Sequence, residues 1–293
     1  NMTVVYVLPG GEPDGPPERY EEVRSSAGAP AIDKSGRSQL TENNSKYPTP
    51  DGWRHPLSFD RSPEIINYPE AVRMNISGAE VFFLEDNELP IVDLTLLVKA
   101  GRVDVAEEKQ GLSEVLGNSL VRGGTRSLGP DMLAERLDDR AIRISVSVGE
   151  EESTIRLSVL KDDWEEGLDI LADLLTEPGF DPQVLDAVKR HLVTSLMRKG
   201  EDARAVAMRE ALIWHFQGHP YGADPLQSMG TIPRIEAEDL RAFLSTRFVA
   251  SNMVAAVAGD ISPGRVAEGL DAVFSRLPRR SAPVRTVGAP EKT

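Results

Sequence analysis

Between Ile142 and Val159 the chain alternates apolar and polar side chains twice over. Ile142, Ile144, Val146 and Val148 are separated by Arg143, Ser145 and Ser147. After a turn over 149–153, Ile155, Leu157 and Val159 repeat the pattern. A period of two puts every apolar side chain on one face of a pleated ribbon, which predicts two antiparallel strands with one dry face. Such a face is stable only when another layer covers it. The flanking sequence supplies that layer at helical spacing. Pro130 opens a short helix to 139, and Asp162 or Asp163 caps a helix carrying Leu168, Leu171, Leu174 and Leu175. Asp181 caps a long helix led by Pro182, with Val184, Val188, Leu192 and Leu196 as its stripe. Further helices are expected at 203–216, 238–247 and 263–276.

The remaining strands are expected at 72–76, 80–85, 91–98 and 253–258, the first two joined by a Ser77–Gly78 turn. The segment 91–98 reads as a central strand, apolar on both faces. This order predicts an α+β fold, a mostly antiparallel sheet packed against helices. The domain occupies 70–277. Residues 1–69 hold ten of the 21 prolines and few apolar residues after Leu8, so they read as an extended arm or linker, with Trp53, His55, Leu57 and Phe59 as anchors. Residues 278–293 read as a linker toward a second domain that is missing here.

A formal charge of −14 argues against nucleic-acid partners and anionic membrane surfaces. No apolar run is long enough to span a membrane. Without cysteine there is no disulfide framework and no thiolate site. The proline-rich arm and the lack of cysteine favour a periplasmic or secreted setting.

Residues 111–125 read as a short helix that stops on Gly123–Gly124. Leu112, Val115, Leu116, Ser119 and Leu120 form its core stripe, and Glu114, Gly117, Asn118 and Val121 share the neighbouring face. The stretch resembles the metal-binding helix of the insulinase/pitrilysin family of zinc peptidases, Gly-Leu-x-His-x-x-Glu-His, an inverted zincin motif. Four further landmarks follow the family's order: Glu88–Gly101, Ser145–Leu160, His219-Pro-Tyr-Gly222 and Asn252–Asp260. The resemblance covers about 70–277. It implies the family's fold, in which lobes of two such domains each enclose a chamber for extended peptides.

In the chemistry the chain departs from the family. The first histidine falls on Glu114, the glutamate that activates water on Gly117, the second histidine on Asn118, and the later glutamate ligand on Ser195. A catalytic zinc needs three N, S or carboxylate ligands with water in the fourth place, and these residues do not supply them. No catalytic, cofactor-binding or metal-binding residue is therefore assigned, and zinc is expected only in a catalytic partner. His215 and His219 are four apart, but Gly218 and Pro220 end the helix between them. His219 is read as a turn residue and His191 as a helix-surface residue. Ser113, Ser119 and Ser195 lack a histidine–acid arrangement for nucleophilic chemistry.

The resemblance implies a non-catalytic homologue that binds peptide or completes a chamber beside a catalytic zinc-peptidase subunit, or beside the second half of the same protein. Peptide would add as a strand to the edge of the 74–84 hairpin. Two alternatives remain: a purely structural assembly subunit, and an active metalloendopeptidase with atypical ligands. The chain alone is expected to be inactive.

Overall fold

The computed structural model describes Gly52 and residues 69–285. Apart from those residues, the expected arm and its anchors Trp53, His55, Leu57 and Phe59 lie outside the described residues, as do 286–293. The described elements are β1 (Val72–Ile76), β2 (Ala79–Glu85), β3 (Ile91–Val98), α1 (Leu112–Ser119), α2 (Pro130–Asp139), β4 (Arg143–Val148) and β5 (Ser153–Leu160). They continue with α3 (Trp164–Thr176), α4 (Pro182–Glu201), α5 (Ala203–His215), the single turn α6 (Ser228–Thr231), α7 (Ala237–Arg247), β6 (Met253–Gly259) and α8 (Pro263–Arg276). The fold is α+β, as the alternation of periods predicts.

The six strands lie in the order β1-β2-β6-β3-β5-β4. Every neighbouring pair is antiparallel except β2 with β6. Ser77 and Gly78 join β1 to β2 with φ of 50° and 91°, the pair of positive values that a tight two-residue hairpin requires. β6 comes last in sequence yet slots between β2 and β3, because its Val257 and Ala255 complete the dry face made by Val81, Leu94 and Leu96.

That face is covered by α3 and α8, whose Leu168, Leu171, Val266 and Leu270 are buried. Fully burying one such side chain stabilises the fold by about 1.5–3 kcal/mol. The two helices touch at Gly269, where an added Cβ would sit 2.6 Å from a Leu168 methyl.

Two expectations are corrected. β3 is central but not apolar on both faces, since Asp93 and Leu97 point to solvent. One cross-sheet row on that open face reads Arg73, Phe82, Ala256, Thr95, Arg156, Ser145. Position 93 decides the matter, because a strand buried on both sides would not leave a carboxylate there uncompensated. Asp163 precedes α3, but its carboxylate makes no cap; it accepts Arg140 Nη1 at 2.8 Å. Asp181 does cap α4, accepting from the amides of Gln183 and Val184 at 2.9 and 3.0 Å.

Candidate functional site

Gly111 turns the chain into α1 with φ of 89°. A side chain there would meet Ile232 Cγ1 at 2.5 Å, so the helix starts pinned against the turn before α7. Leu112, Val115, Leu116 and Ser119 face the core, and the Ser119 hydroxyl donates to the Val115 carbonyl at 2.7 Å. This arrangement leaves Glu114, Gly117 and Asn118 on the outer side, where the spacing of the sequence placed them.

Each side chain there is occupied locally. Glu114 Oε2 accepts from the Ser113 hydroxyl at 2.9 Å. Asn118 Nδ2 donates to the Glu114 carbonyl at 2.8 Å, one turn back along the helix. At Gly117 an added Cβ would lie 3.1 Å from Val148 Cγ2 and 3.9 Å from the Val146 carbonyl oxygen, so the glycine lets α1 rest closely on β4. α4 packs across α1, and Ser195 lies half-buried on α4.

This donor set does not fit the zinc that the motif implies. It offers one carboxylate, an amide whose nitrogen is committed to a carbonyl, a hydroxyl and no side chain at all. Among the described residues no cluster of three or more His, Cys, Asp or Glu is arranged to hold a metal.

Around α1 the surface is hollowed. A cleft of about 480 Å³ is walled by Arg102, Gln110 and Glu114 on one side and by Ile213, His219 and Asp224 on the other. Arg102 also borders a second hollow of about 580 Å³, shared with Glu150, Leu212, Phe216 and Tyr221. His219 sits in the turn after α5, as expected, where its Nδ1 accepts from the Tyr221 amide at 3.2 Å. Its ring meets Tyr221 edge-on at 4.5 Å, and Phe216 meets Tyr221 at 5.4 Å, so the three rings brace one wall. Arg102 and Phe216 are not marked as site residues by the sequence, and Tyr221 enters there only within the His219–Gly222 landmark. No periodicity marks them, because they converge from segments more than 100 residues apart.

The edge expected to accept peptide lies elsewhere. The 74–84 hairpin does supply an edge, β1, but it is at the far side of the sheet from β4. α1 rests on β4, the opposite edge strand, which pairs only with β5 among the described residues. The Gly149–Glu152 turn after β4 is tied to the segment before α1. Arg102 N donates to the Gly149 carbonyl and Val103 N to the Glu150 carbonyl, each at 3.0 Å.

The comparisons with known proteins agree with this geometry. The profile described as Insulinase (Peptidase family M16) matches residues 81–215, and that of the Peptidase M16 inactive domain matches residues 234–293. The chain is similar to the "Non-peptidase homolog YmxG" of Helicobacter pylori, 25% identical over 209 residues, 71% of this chain and 48% of that one. It is also similar to a probable mitochondrial-processing peptidase subunit beta of Arabidopsis thaliana, 24% identical over 233 residues, 79% of this chain and 43% of that one. It thus spans about half the length of these curated relatives. In fold it is similar to a peptidase M16 inactive domain from Pseudomonas fluorescens, with TM-score 0.70 and 22% identity over 76% of this chain and 54% of that one. The first half of the periplasmic protease PqqL from Escherichia coli superposes with TM-score 0.66 and 16% identity over 76% of this chain and 49% of that one. The two profile matches, which between them take in 81–215 and 234–293, show that the chain belongs to the insulinase family of peptidases, M16.

Proposed function

We propose that this chain is a non-catalytic member of the family. It binds an extended peptide by strand addition along β4 and acts beside a domain that carries an intact zinc site, either in a separate subunit or in a second half of the same protein. The observation that carries the reading is the pairing of a free edge strand with an emptied motif helix. β4 has no outer strand partner among the described residues and runs under Gly117, and the turn that follows it borders one of the two hollows. Backbone N–H and C=O groups on such an edge pair with any extended chain, and the hollows then sort its side chains. At the position that would activate water there is a hydrogen atom, so binding is kept and hydrolysis lost. The names of the relatives support the same reading, one being a non-peptidase homologue and one an inactive domain.

A labelled extended peptide tests this by fluorescence anisotropy. Methylating alternate backbone nitrogens of the peptide should weaken binding at least tenfold, because the methyl groups remove the donors that a sheet edge needs. Equal binding of the methylated peptide, or cleavage of the parent peptide by this chain alone, would sink the proposal.

One observation favours the second reading, an assembly subunit that binds no peptide. Met197, Met208, Leu212 and Trp214 on α4 and α5 are each 44–59% exposed, more large apolar surface than solitary helices usually present. Absence of peptide binding, with a catalytic partner still copurifying, would select it.

A further inference from the structure

After α8 the chain runs from Pro278 to Arg285 without regular secondary structure, yet it is not loose. Arg285 reaches back across the domain to Asp104, whose side chain is 1% exposed. Its Nη2 donates to Oδ2 at 2.7 Å and its Nε to Oδ1 at 3.2 Å, a bidentate pairing. Arg285 Nη1 also donates to Glu151 Oε2 at 3.0 Å, and Nη2 to the Glu151 carbonyl. Asp104 holds two other partners, Arg247 Nη1 at 3.1 Å and the Gly101 amide at 2.9 Å. Arg247 in turn donates to the Pro283 carbonyl at 3.2 Å.

We propose that Asp104 and Arg285 form a latch that straps residues 278–285 to the segment beside Arg102 and to the turn after β4, and so fixes where Arg285 sits on the domain. Three observations carry it. The polar tether is concentrated at one end: Val284 is 87% exposed, and the strap's hydrogen bonds to the body are made by Arg285 and the Pro283 carbonyl. Beneath the strap lies a cavity of about 400 Å³ lined by Lys99, Arg247, Asn252 and Ser281, so the strap bridges a gap rather than filling one. The anchor belongs to the site's own wall. Asp104 lies two residues from Arg102 and its carboxylate caps the Gly101 amide, and Glu151 sits in the turn after β4.

The network is asymmetric, and that makes it a latch rather than part of the core. Without Arg285, Asp104 keeps Arg247 and the Gly101 amide, so its buried charge stays paired. Without Asp104, two arginines and one amide lose a partner inside the fold, the costly kind of loss. The hydrogen bond to Asp104 leads the causes that hold the Arg285 guanidinium above its ordinary value.

The test does not depend on whether the cleft binds peptide. The protein has no cysteine, so L89C and V284C provide the only two thiols for spin labels. The label distance should form a single narrow distribution in the parent and broaden at least twofold in R285A, with R285K between them. Trypsin should cut after Arg279 and Arg280 about tenfold faster in R285A. The melting temperature of R285A should stay within about 2 °C of the parent, the scale expected of a surface change, whereas that of D104A falls further. An unchanged distance distribution in R285A would overturn the latch. So would a loss of melting temperature in R285A as large as in D104A, since Arg285 would then be holding up the domain itself.

Discussion

At the scale of single residues, the four positions that the resemblance lays on the family's motif are not equivalent. Restoring Glu114→His, Asn118→His and Ser195→Glu places ligands on surfaces that already have room, because Asn118 is exposed and the other two are half-buried. Gly117→Glu is different, since its Cβ would arrive 3.1 Å from Val148 Cγ2 and push on β4. The quadruple variant is expected to bind zinc at one equivalent, and the parent at less than about a tenth of that by metal analysis. Adding V148A should raise the proportion of the quadruple variant that is folded and metal-loaded, by relieving that contact. A folded quadruple variant that takes up no zinc would show that the positions are misaligned with the family's motif.

At the scale of elements, the site is held by the ends of helices. α7 begins where Asp239 Oδ2 accepts the Glu236 amide at 2.9 Å and Lys109 Nζ at 2.8 Å, tying the turn before α1 to a distant helix. Burial alone would raise the Asp239 carboxyl, but the amide and the ammonium outweigh it and hold it below its usual range. A carboxyl lowered on folding stabilises the protein above its unfolded value of about 4 and ceases to do so as pH falls through the folded value. Asp239→Asn should therefore cost up to about 1 kcal/mol at pH 7, given a side chain still 25% exposed, and less near pH 2. Urea midpoints at the two pH values check this. A cost that persists undiminished in acid would mean that the asparagine disturbs packing rather than charge.

At the scale of the whole molecule, the described domain has more apolar surface than its own core consumes. α5 contains no buried residue, although Met208, Leu212 and Trp214 lie along it. On the open face of the sheet, Phe82 and Leu97 are 36% and 38% exposed. Under the assembly reading proposed above, such surface would be covered by a partner rather than by the chain's own core. Met208→Ser with Leu212→Ser is therefore expected to leave the melting temperature within about 2 °C. The same pair should lower the apparent mass or lifetime of the complex on size-exclusion chromatography. A large loss of melting temperature would place α5 inside the domain's own folding unit.

The sequence by itself determined most of the elements and which residues share the outer face of the motif helix. Strict alternation in 142–159 fixed the β4–β5 hairpin, Asp181 and Pro182 fixed the start of α4, and one-dimensional spacing put Glu114, Gly117 and Asn118 on one helix face. These are consequences of local geometry, in which side-chain direction follows from residue number. What decided the rest was contact between distant segments. Nothing near Met253 says that β6 will lie parallel to β2, and nothing near Asp93 says that one face of a central strand will stay open. The choice of β4 over β1 as the edge beside the motif helix depends on where α1 comes to rest. The latch depends on Asp104 and Arg285 meeting across a sequence separation of 181. Pairings of that kind arise only when burial of the shared core brings the segments together, which local spacing does not encode.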